Sequence, residues 1–267
     1  MATAYAKKDL RFVGFTEAWC DNFISPLLNI KDNQYKCVHI LRDPRAIIAS
    51  RNAGKYLKKY GGKCPLLFLI RHWRRSVAYS ILNKGVPGYI FVKYEDVISS
   101  PREWFEKICS HIGVPFSERL MHTEAYVDGE GKPWTQNTSF DSATGFSKGS
   151  LEKWNDSLTV EEIDFIEYLC KAEMDYCGYR LSKDMHKIKD FASFKENNEE
   201  IVEWLRKYNL CVNEHDISLE IVRSYMLKAS DFLTDELMDY FFLGKEVYTA
   251  LANCIQKNLS VEVNYLE

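Results

Sequence analysis

The amino-acid sequence predicts a parallel α/β domain over residues 1–182 and an acidic, all-helical extension over residues 183–267. In the first part, short runs of β-forming residues alternate with amphipathic helical segments, which is the pattern of a parallel sheet with crossover helices. Only helical segments follow Leu181. The charge divides at the same place: the whole chain has a net charge of -3, whereas residues 183–267 hold 10 basic and 16 acidic side chains.

Composition limits the classes of protein to which the chain can belong. Its 267 residues are 46% hydrophobic and 27% charged, which is typical of a globular chain. The longest clean apolar run, Pro65–Ile70, is far shorter than the roughly 20 residues of a membrane span, and the first ten residues lack the apolar stretch of a signal peptide. The eight cysteines show no C-x-x-C spacing, which argues against a zinc ribbon or a compact disulfide scaffold.

The first strand and helix are predicted from one short segment. Residues Lys36–Leu41 form an apolar, β-rich run bounded by charge, which predicts a buried strand in which His39 is a satisfied core residue. Asp43 suits a helix N-cap and Pro44 suits the first helical position. We therefore predict a strand, a tight turn and a helix that continues until Gly61-Gly62.

The next segments continue the alternation of helix and strand. Residues Leu66–Leu82 have the pattern of a helix, and Tyr89–Lys93 (YIFVK) have that of a strand. The run Ser100-Pro101-Arg102-Glu103 combines a capping-box spacing with a proline at the first helical position. It predicts a helix that ends near Ile112.

The remaining residues are predicted to form a long loop and further helices. Residues 122–150 are polar and aperiodic, and we expect substrate contacts in this loop. Thr159 and Glu162 have the spacing of a capping box for a helix that ends at Gly178. Four amphipathic segments then form the extension: roughly Asn197–Tyr208, Asp216–Ala229, Thr234–Phe242 and Lys245–Lys257.

A phosphate clamp is predicted where the first strand meets its helix. The segment Lys36–Arg75 contains eleven Lys and Arg residues and a single acidic residue, which would attract an anionic ligand; a solvated helix face is the alternative. Arg42 leaves the strand end beside a helix start, whose backbone N–H groups favour anions. Ser50, eight residues later, lies about one turn inside the helix, where its hydroxyl can point to the same side.

The residues of this clamp carry a family resemblance. The segment Cys37–Arg51 (CVHILRDPRAIIASR) resembles the 3'-phosphate-binding segment of sulfotransferases that use 3'-phosphoadenosine 5'-phosphosulfate (PAPS), and is most similar to the carbohydrate branch and its bacterial relatives. The resemblance implies a P-loop-like three-layer sandwich in which Arg42 and Ser50 hold the 3'-phosphate. It also implies that PAPS is the co-substrate, that no metal is involved, and that the acceptor is a hydroxyl group of a carbohydrate.

Two further stretches extend the resemblance to about residues 11–181. Val92–Val97, which contains Tyr-Glu-Asp, is similar to the end of a strand in that family. Ser147–Trp154, with a helix that closes on Cys177-Gly178-Tyr179, is similar to the segment that covers the nucleotide in relatives. The resemblance therefore implies nucleotide contacts from Ser147, Lys148 and Lys153.

One family feature is not found upstream of Lys36. Relatives carry a loop related to the P-loop that cradles the 5'-phosphosulfate, whereas this part of the chain has only Gly14. We therefore expect an N-terminally incomplete member, as a truncated gene model, a fragment or a binding-only relative.

The run Arg11–Thr16 corresponds to the family's second strand. Glu17 is then the nearest candidate for the general base, and a surface or capping glutamate is the alternative.

These features lead to one main hypothesis and two rivals. The main hypothesis is a sulfotransferase that uses PAPS and a carbohydrate hydroxyl; the first rival is a non-catalytic nucleotide- or glycan-binding relative. The second rival, a P-loop kinase, is disfavoured because G-x-x-x-x-G-K-[ST] is absent. We expect no nucleic-acid partner and no membrane span, with the acidic extension as an option for a protein partner. The chain as given suits the cytoplasm, and a fragment of a carbohydrate sulfotransferase would suit the Golgi lumen.

Overall fold

The described strands of the α/β part form a two-stranded parallel sheet. The computed structural model describes residues 14, 16, 20–30, 35–53, 55–127, 131–132, 145–146, 148–182, 194, 196–207, 213–228 and 233–264. Strand β1 (Cys37–Leu41) pairs with β2 (Tyr89–Lys93) from one end to the other. Both strands lie where the sequence predicted them, but β1 alternates between buried and exposed residues, so the prediction of a buried strand holds for one face only. In the run Arg11–Thr16, Gly14 and Thr16 are described and lie in neither strand, and the other four residues lie outside the described part.

Helices form the other regular elements of the described chain, apart from an isolated bridge between Lys63 and Ile201. Most predicted helices are confirmed within a few residues. The α-helices are α1 (Ile24–Leu28), α2 (Pro44–Asn52), α3 (Lys55–Tyr60), α4 (Leu66–Leu82), α5 (Tyr94–Ser99), α6 (Pro101–Ile112), α7 (Val160–Cys177), α8 (Glu203–Lys207), α9 (Glu214–Met226), α10 (Asp235–Phe242) and α11 (Lys245–Asn264). Short 3-10 helices cover Asp21–Phe23, Glu118–Met121, Thr123–Ala125, Lys148–Ser150, Lys153–Asp156 and Asn198–Glu200.

One face of β1 packs against α4. His39 and Leu41 point to this face and are buried. The His39 ring is bonded at both nitrogens, through Nδ1 to the Tyr89 hydroxyl at 2.7 Å and through Nε2 to the Ser76 hydroxyl at 2.8 Å. The prediction that His39 is a satisfied core residue is confirmed. On the opposite face, Ile40 is 56% exposed.

The helix that follows β1 ends earlier than predicted. Helix α2 stops at Asn52, and a separate helix, α3, runs to Tyr60 before Gly61 adopts a positive φ of 69°. Asn52 is buried, and its side chain donates to the Cys64 carbonyl at 2.8 Å and accepts from the Cys64 N–H at 2.9 Å. These bonds turn the chain back at a point that the local sequence does not mark.

The predicted capping box forms at α7 but not at α6. Thr159 and Glu162 form the predicted capping box of α7, and Gly178 ends this helix in the left-handed conformation. Ser100 precedes Pro101 as predicted, but its side chain makes no cap hydrogen bond. Ser100 also ends α5 by donating its N–H to the Asp96 carbonyl, so its backbone lacks the extended conformation of an N-cap.

The C-terminal helices pack onto the α/β part through a shared apolar core. Helix α11 lies against α7 and α4. Phe165 and Ile166 of α7 belong to the same buried cluster as Phe242 and Leu251 from the extension. The described helices include none that is both long enough and apolar enough to cross a bilayer.

Charged side chains line a cavity of about 310 Å³ between α4 and the extension. Glu220 lies 2.8 Å from the Arg71 Nε and 2.7 Å from an Arg74 nitrogen. Arg223 lies 2.5 Å from the Glu173 carboxylate. These charges therefore pair with one another across the boundary between the basic and acidic parts of the chain.

Candidate functional site

Arg42 lies at the carboxyl edge of the sheet. It follows the last residue of β1, and the first residue after β2 is Tyr94. The strands are parallel, so both ends meet at this edge, where ligands of open α/β sheets bind. The Arg42 guanidinium carbon is 4.7 Å from the centroid of the Tyr94 ring, a cation–π distance.

The backbone donors at the start of α2 are already used. The Asp43 N–H donates to Glu95 Oε1 at 2.9 Å, Pro44 has no N–H, and the Arg45 N–H donates to Asp43 Oδ1 at 2.9 Å. The expectation that this helix start offers several backbone N–H groups to an anion is therefore wrong for its first three positions. These positions therefore offer an anion no unused backbone N–H.

Arg45, in the same motif, is a structural residue. It is 4% exposed and donates to both Asp43 oxygens at 3.0 and 2.6 Å and to Glu167 at 2.5 Å. Its guanidinium also lies 4.0 Å from the Trp154 ring centroid. Burial would lower the pKa of Arg45, but the carboxylates of Asp43 and Glu167 outweigh it and raise that pKa.

Ser50 lies on α2, the same helix as Arg45. It is six residues after Pro44, in the second turn of α2, which corresponds to about 9 Å along the helix axis. Six residues of α2 are buried, whereas Ile47 and Ser50 are half-buried. Three residues apart, these two share one helix face, so Ser50 lies on a less buried face.

Of the three residues predicted in the segment Ser147–Trp154, one, Lys153, belongs to an element that packs against α2. The 3-10 helix Lys153–Asp156 packs against α2, with Trp154 buried beneath the Arg45 guanidinium. Lys153 is half-buried there, whereas Lys148 is exposed in the 3-10 helix that precedes it. Ser147 and the candidate base Glu17 lie outside the described residues.

The sequence did not assign roles to three residues that surround Arg42. The Trp73 indole Nε1 donates to the Arg42 carbonyl at 2.8 Å. Glu95 Oε1 accepts from the backbone N–H of the next residue, Asp43. The Tyr179 hydroxyl donates to Glu95 Oε2 at 2.9 Å, and burial together with Glu95 raises the pKa of Tyr179. The Tyr-Glu-Asp motif was the signal for Glu95, but its partner could not be identified from sequence.

The candidate groups are therefore a half-buried arginine at the sheet edge, a half-buried serine in the second turn of α2, and a lysine in the 3-10 helix that packs on α2. Such groups bind phosphate or sulfate through charge-assisted hydrogen bonds. Within the described residues, no group of His, Cys, Asp and Glu side chains could hold a metal ion.

Comparison with known proteins identifies the family of the chain. The family model described as "Sulfotransferase domain" matches residues 23–178, more than half of the chain. Human carbohydrate sulfotransferase 3 is 27% identical over 61% of this chain and 37% of its own length. Mouse carbohydrate sulfotransferase 1 is 25% identical over 62% of this chain and 42% of its own length.

A third relative, human carbohydrate sulfotransferase 5, is 26% identical over 58% of this chain and 42% of its own length. The chain thus spans about two fifths of the length of the curated relatives that it matches. No solved structure gives a significant match. The family match covers β1, the Arg42 edge and α7, and confirms the resemblance identified from the sequence: the chain belongs to the sulfotransferase family.

Proposed function

We propose that this protein takes part in the transfer of a sulfuryl group from PAPS to a hydroxyl of a carbohydrate. The observation that carries the proposal is the position of Arg42, which lies at the carboxyl edge of a parallel sheet within the family match. The carbohydrate acceptor is supported by the names of the relatives.

We assign the nucleotide contacts residue by residue from the family motifs. Arg42 and Ser50 bind the 3'-phosphate, and Lys153 supports it from the 3-10 helix that packs on α2. Lys148 and Ser147 are further candidate contacts to the nucleotide, and Glu17 remains the candidate general base. Arg45 has no part in binding, because its guanidinium is already paired with two carboxylates.

The fold-level parts of the proposal follow from the same resemblance. We propose that the described parallel sheet belongs to a P-loop-like three-layer sandwich. We also propose that this domain ends at residue 182 and that residues 183–267 are a helical extension of it. Sulfuryl transfer needs an in-line acceptor, a base for its proton and cations around the group in flight. The candidate clamp addresses a separate need, because it would anchor the donor through its 3'-phosphate.

Calorimetric binding of 3'-phosphoadenosine 5'-phosphate tests the nucleotide site. The parent should bind, and Arg42→Ala should weaken binding by at least about tenfold, because a hydrogen bond to a charged group is typically worth 1.5–3 kcal/mol. Arg102→Ala is the matched control, since Arg102 is an exposed arginine paired with Glu118. Unchanged affinity in Arg42→Ala would show that the clamp is assigned to the wrong residue.

Sulfated product tests the transfer itself. The full chain should be incubated with PAPS and a carbohydrate acceptor, and the products analysed by mass spectrometry for the mass of one added sulfuryl group. Product that is lost in Arg42→Ala would support the proposed activity. Nucleotide binding without product across a panel of glycan acceptors would contradict it.

A further inference from the structure

The peptide unit that joins Arg42 to Asp43 is held at both of its polar ends. The Trp73 indole donates to the Arg42 carbonyl at 2.8 Å, and the Asp43 N–H donates to Glu95 Oε1 at 2.9 Å. We call Trp73 and Glu95 the peptide brace. The two members come from α4 and α5, so the brace ties the end of β1 to two other elements.

The brace is itself fixed from a third element. The second oxygen of Glu95 accepts from the Tyr179 hydroxyl at 2.9 Å, just beyond α7. Trp73 is 4% exposed, and its ring lies 6.3 Å from that of Tyr179. Both carboxylate oxygens of Glu95 are therefore engaged, and neither brace residue is available to swing toward a ligand without breaking these contacts.

The orientation of a peptide plane sets the direction in which the side chain of the preceding residue leaves the backbone. The plane of the Arg42–Asp43 peptide fixes the ψ angle of Arg42, because only φ and ψ are soft in the backbone. Tyr94, next to Glu95 in the chain, supports the guanidinium of Arg42 at 4.7 Å. Backbone and side chain of Arg42 are thus both held by the start of α5.

We propose that Glu95 is a positioning residue that, with Trp73, aims Arg42 at the 3'-phosphate of the nucleotide. This inference rests on the proposed function. It gives the Tyr-Glu-Asp motif a physical role: Glu95 acts on the ligand only through the Arg42–Asp43 peptide. Preorganised donors bind more tightly because less freedom is lost on binding.

The test compares two nucleotides that differ in the 3'-phosphate. Dissociation constants for 3'-phosphoadenosine 5'-phosphate and for adenosine 5'-phosphate are measured by calorimetry on the parent and on Glu95→Ala. We expect Glu95→Ala to weaken binding of the first nucleotide by about tenfold and to leave that of the second within about twofold. A general loss of folding would reduce both alike, so the ratio of the two constants reports on positioning.

Two further variants keep the inference falsifiable if Glu95→Ala does not fold. Glu95→Gln should restore most of the preference, since its carbonyl can accept from the Asp43 N–H while its amide donates to the Tyr179 hydroxyl. Tyr179→Phe removes only one bond to Glu95 and should lower the preference by a smaller factor. Glu103→Ala, an exposed glutamate on α6 that pairs with Lys107, is the control.

The outcomes separate this inference from the proposed function. If the parent shows no preference for the 3'-phosphate, or if Arg42→Ala leaves that preference intact, the site assignment itself fails. If Arg42→Ala abolishes the preference but Glu95→Ala and Tyr179→Phe keep it, only the positioning role is overturned. An equal loss for both nucleotides in the Glu95 variants would also overturn it.

Discussion

Two arginines three residues apart have opposite environments in the same motif. Arg42 is half-buried at the sheet edge, whereas Arg45 is 4% exposed and paired with Asp43 and Glu167. The family motif singled out Arg42, from sequence alone, as the candidate for ligand binding. The structural role of Arg45 depends on Glu167, which is 122 residues away in the chain, so no local pattern could have shown it.

This contrast predicts that replacing Arg45 and replacing Arg42 will change the free energy of unfolding by different amounts. Arg45→Ala leaves buried carboxylates without a cation and should lower the free energy of unfolding by about 3–5 kcal/mol. Arg42→Ala should change it by less than about 1 kcal/mol while weakening nucleotide binding by at least about tenfold. Urea denaturation of both variants measures the two values. Similar losses of stability would contradict the separation of roles.

Elements that are marked by local sequence signals were predicted with nearly correct bounds. Helix α4 has the predicted bounds, since an apolar helical pattern follows Pro65 and stops before a turn. The end of α2 was missed because it depends on bonds between Asn52 and Cys64 across a turn. Short α5 was missed because the Tyr-Glu-Asp run was interpreted as the end of a strand.

The stability of the protein should depend on pH through a residue of the extension, Glu196, that contacts the start of α4. Glu196 Oε1 accepts from the Leu66 N–H at 2.8 Å. Burial, with the charges of Glu162 and Glu200, raises the pKa of Glu196 to about 7, against the opposing effects of the Leu66 N–H and Lys63. The folded state therefore binds this proton more tightly than the unfolded state, and stability should fall as pH rises from about 4.5 to 7.

Glu196→Gln removes this titration while keeping the shape of the protonated acid. We expect the variant to gain about 1–3 kcal/mol relative to the parent on going from pH 5 to pH 7. Denaturation of both proteins at the two pH values gives the difference. Glu199→Gln, at an exposed neighbouring site, is the matched control. A constant difference between Glu196→Gln and parent would show that Glu196 does not titrate in this range.

At the scale of the whole molecule, the acidic extension neutralises part of the basic segment. The sequence predicted two electrostatic parts, and the structure pairs them: Arg71 lies 2.8 Å from Asp216 and Arg74 lies 2.7 Å from Glu220. The charge of each part could be counted from composition, whereas these pairings join residues about 145 positions apart. The basic bias of α4 is thus satisfied in part within the chain.

This pairing predicts that the extension and the α/β part unfold together. Glu220 and Arg74 are 4% and 8% exposed, so Glu220→Ala leaves a buried cation and should cost about 3–5 kcal/mol. Because α7 and α11 share one core, we expect faster hydrogen exchange in α4 and α7 as well as in α9.

Asp216→Ala is the matched control on the same helix. Its partner Arg71 has a side chain that is 41% exposed, and loss of an exposed pair should cost about 0.2–1 kcal/mol. Exchange measured by mass spectrometry on both variants decides between a joint core and a separate module. Faster exchange confined to residues beyond 182 in Glu220→Ala would show that the extension folds independently, because a joint core transmits the loss of one buried charge pair to every helix that packs on it.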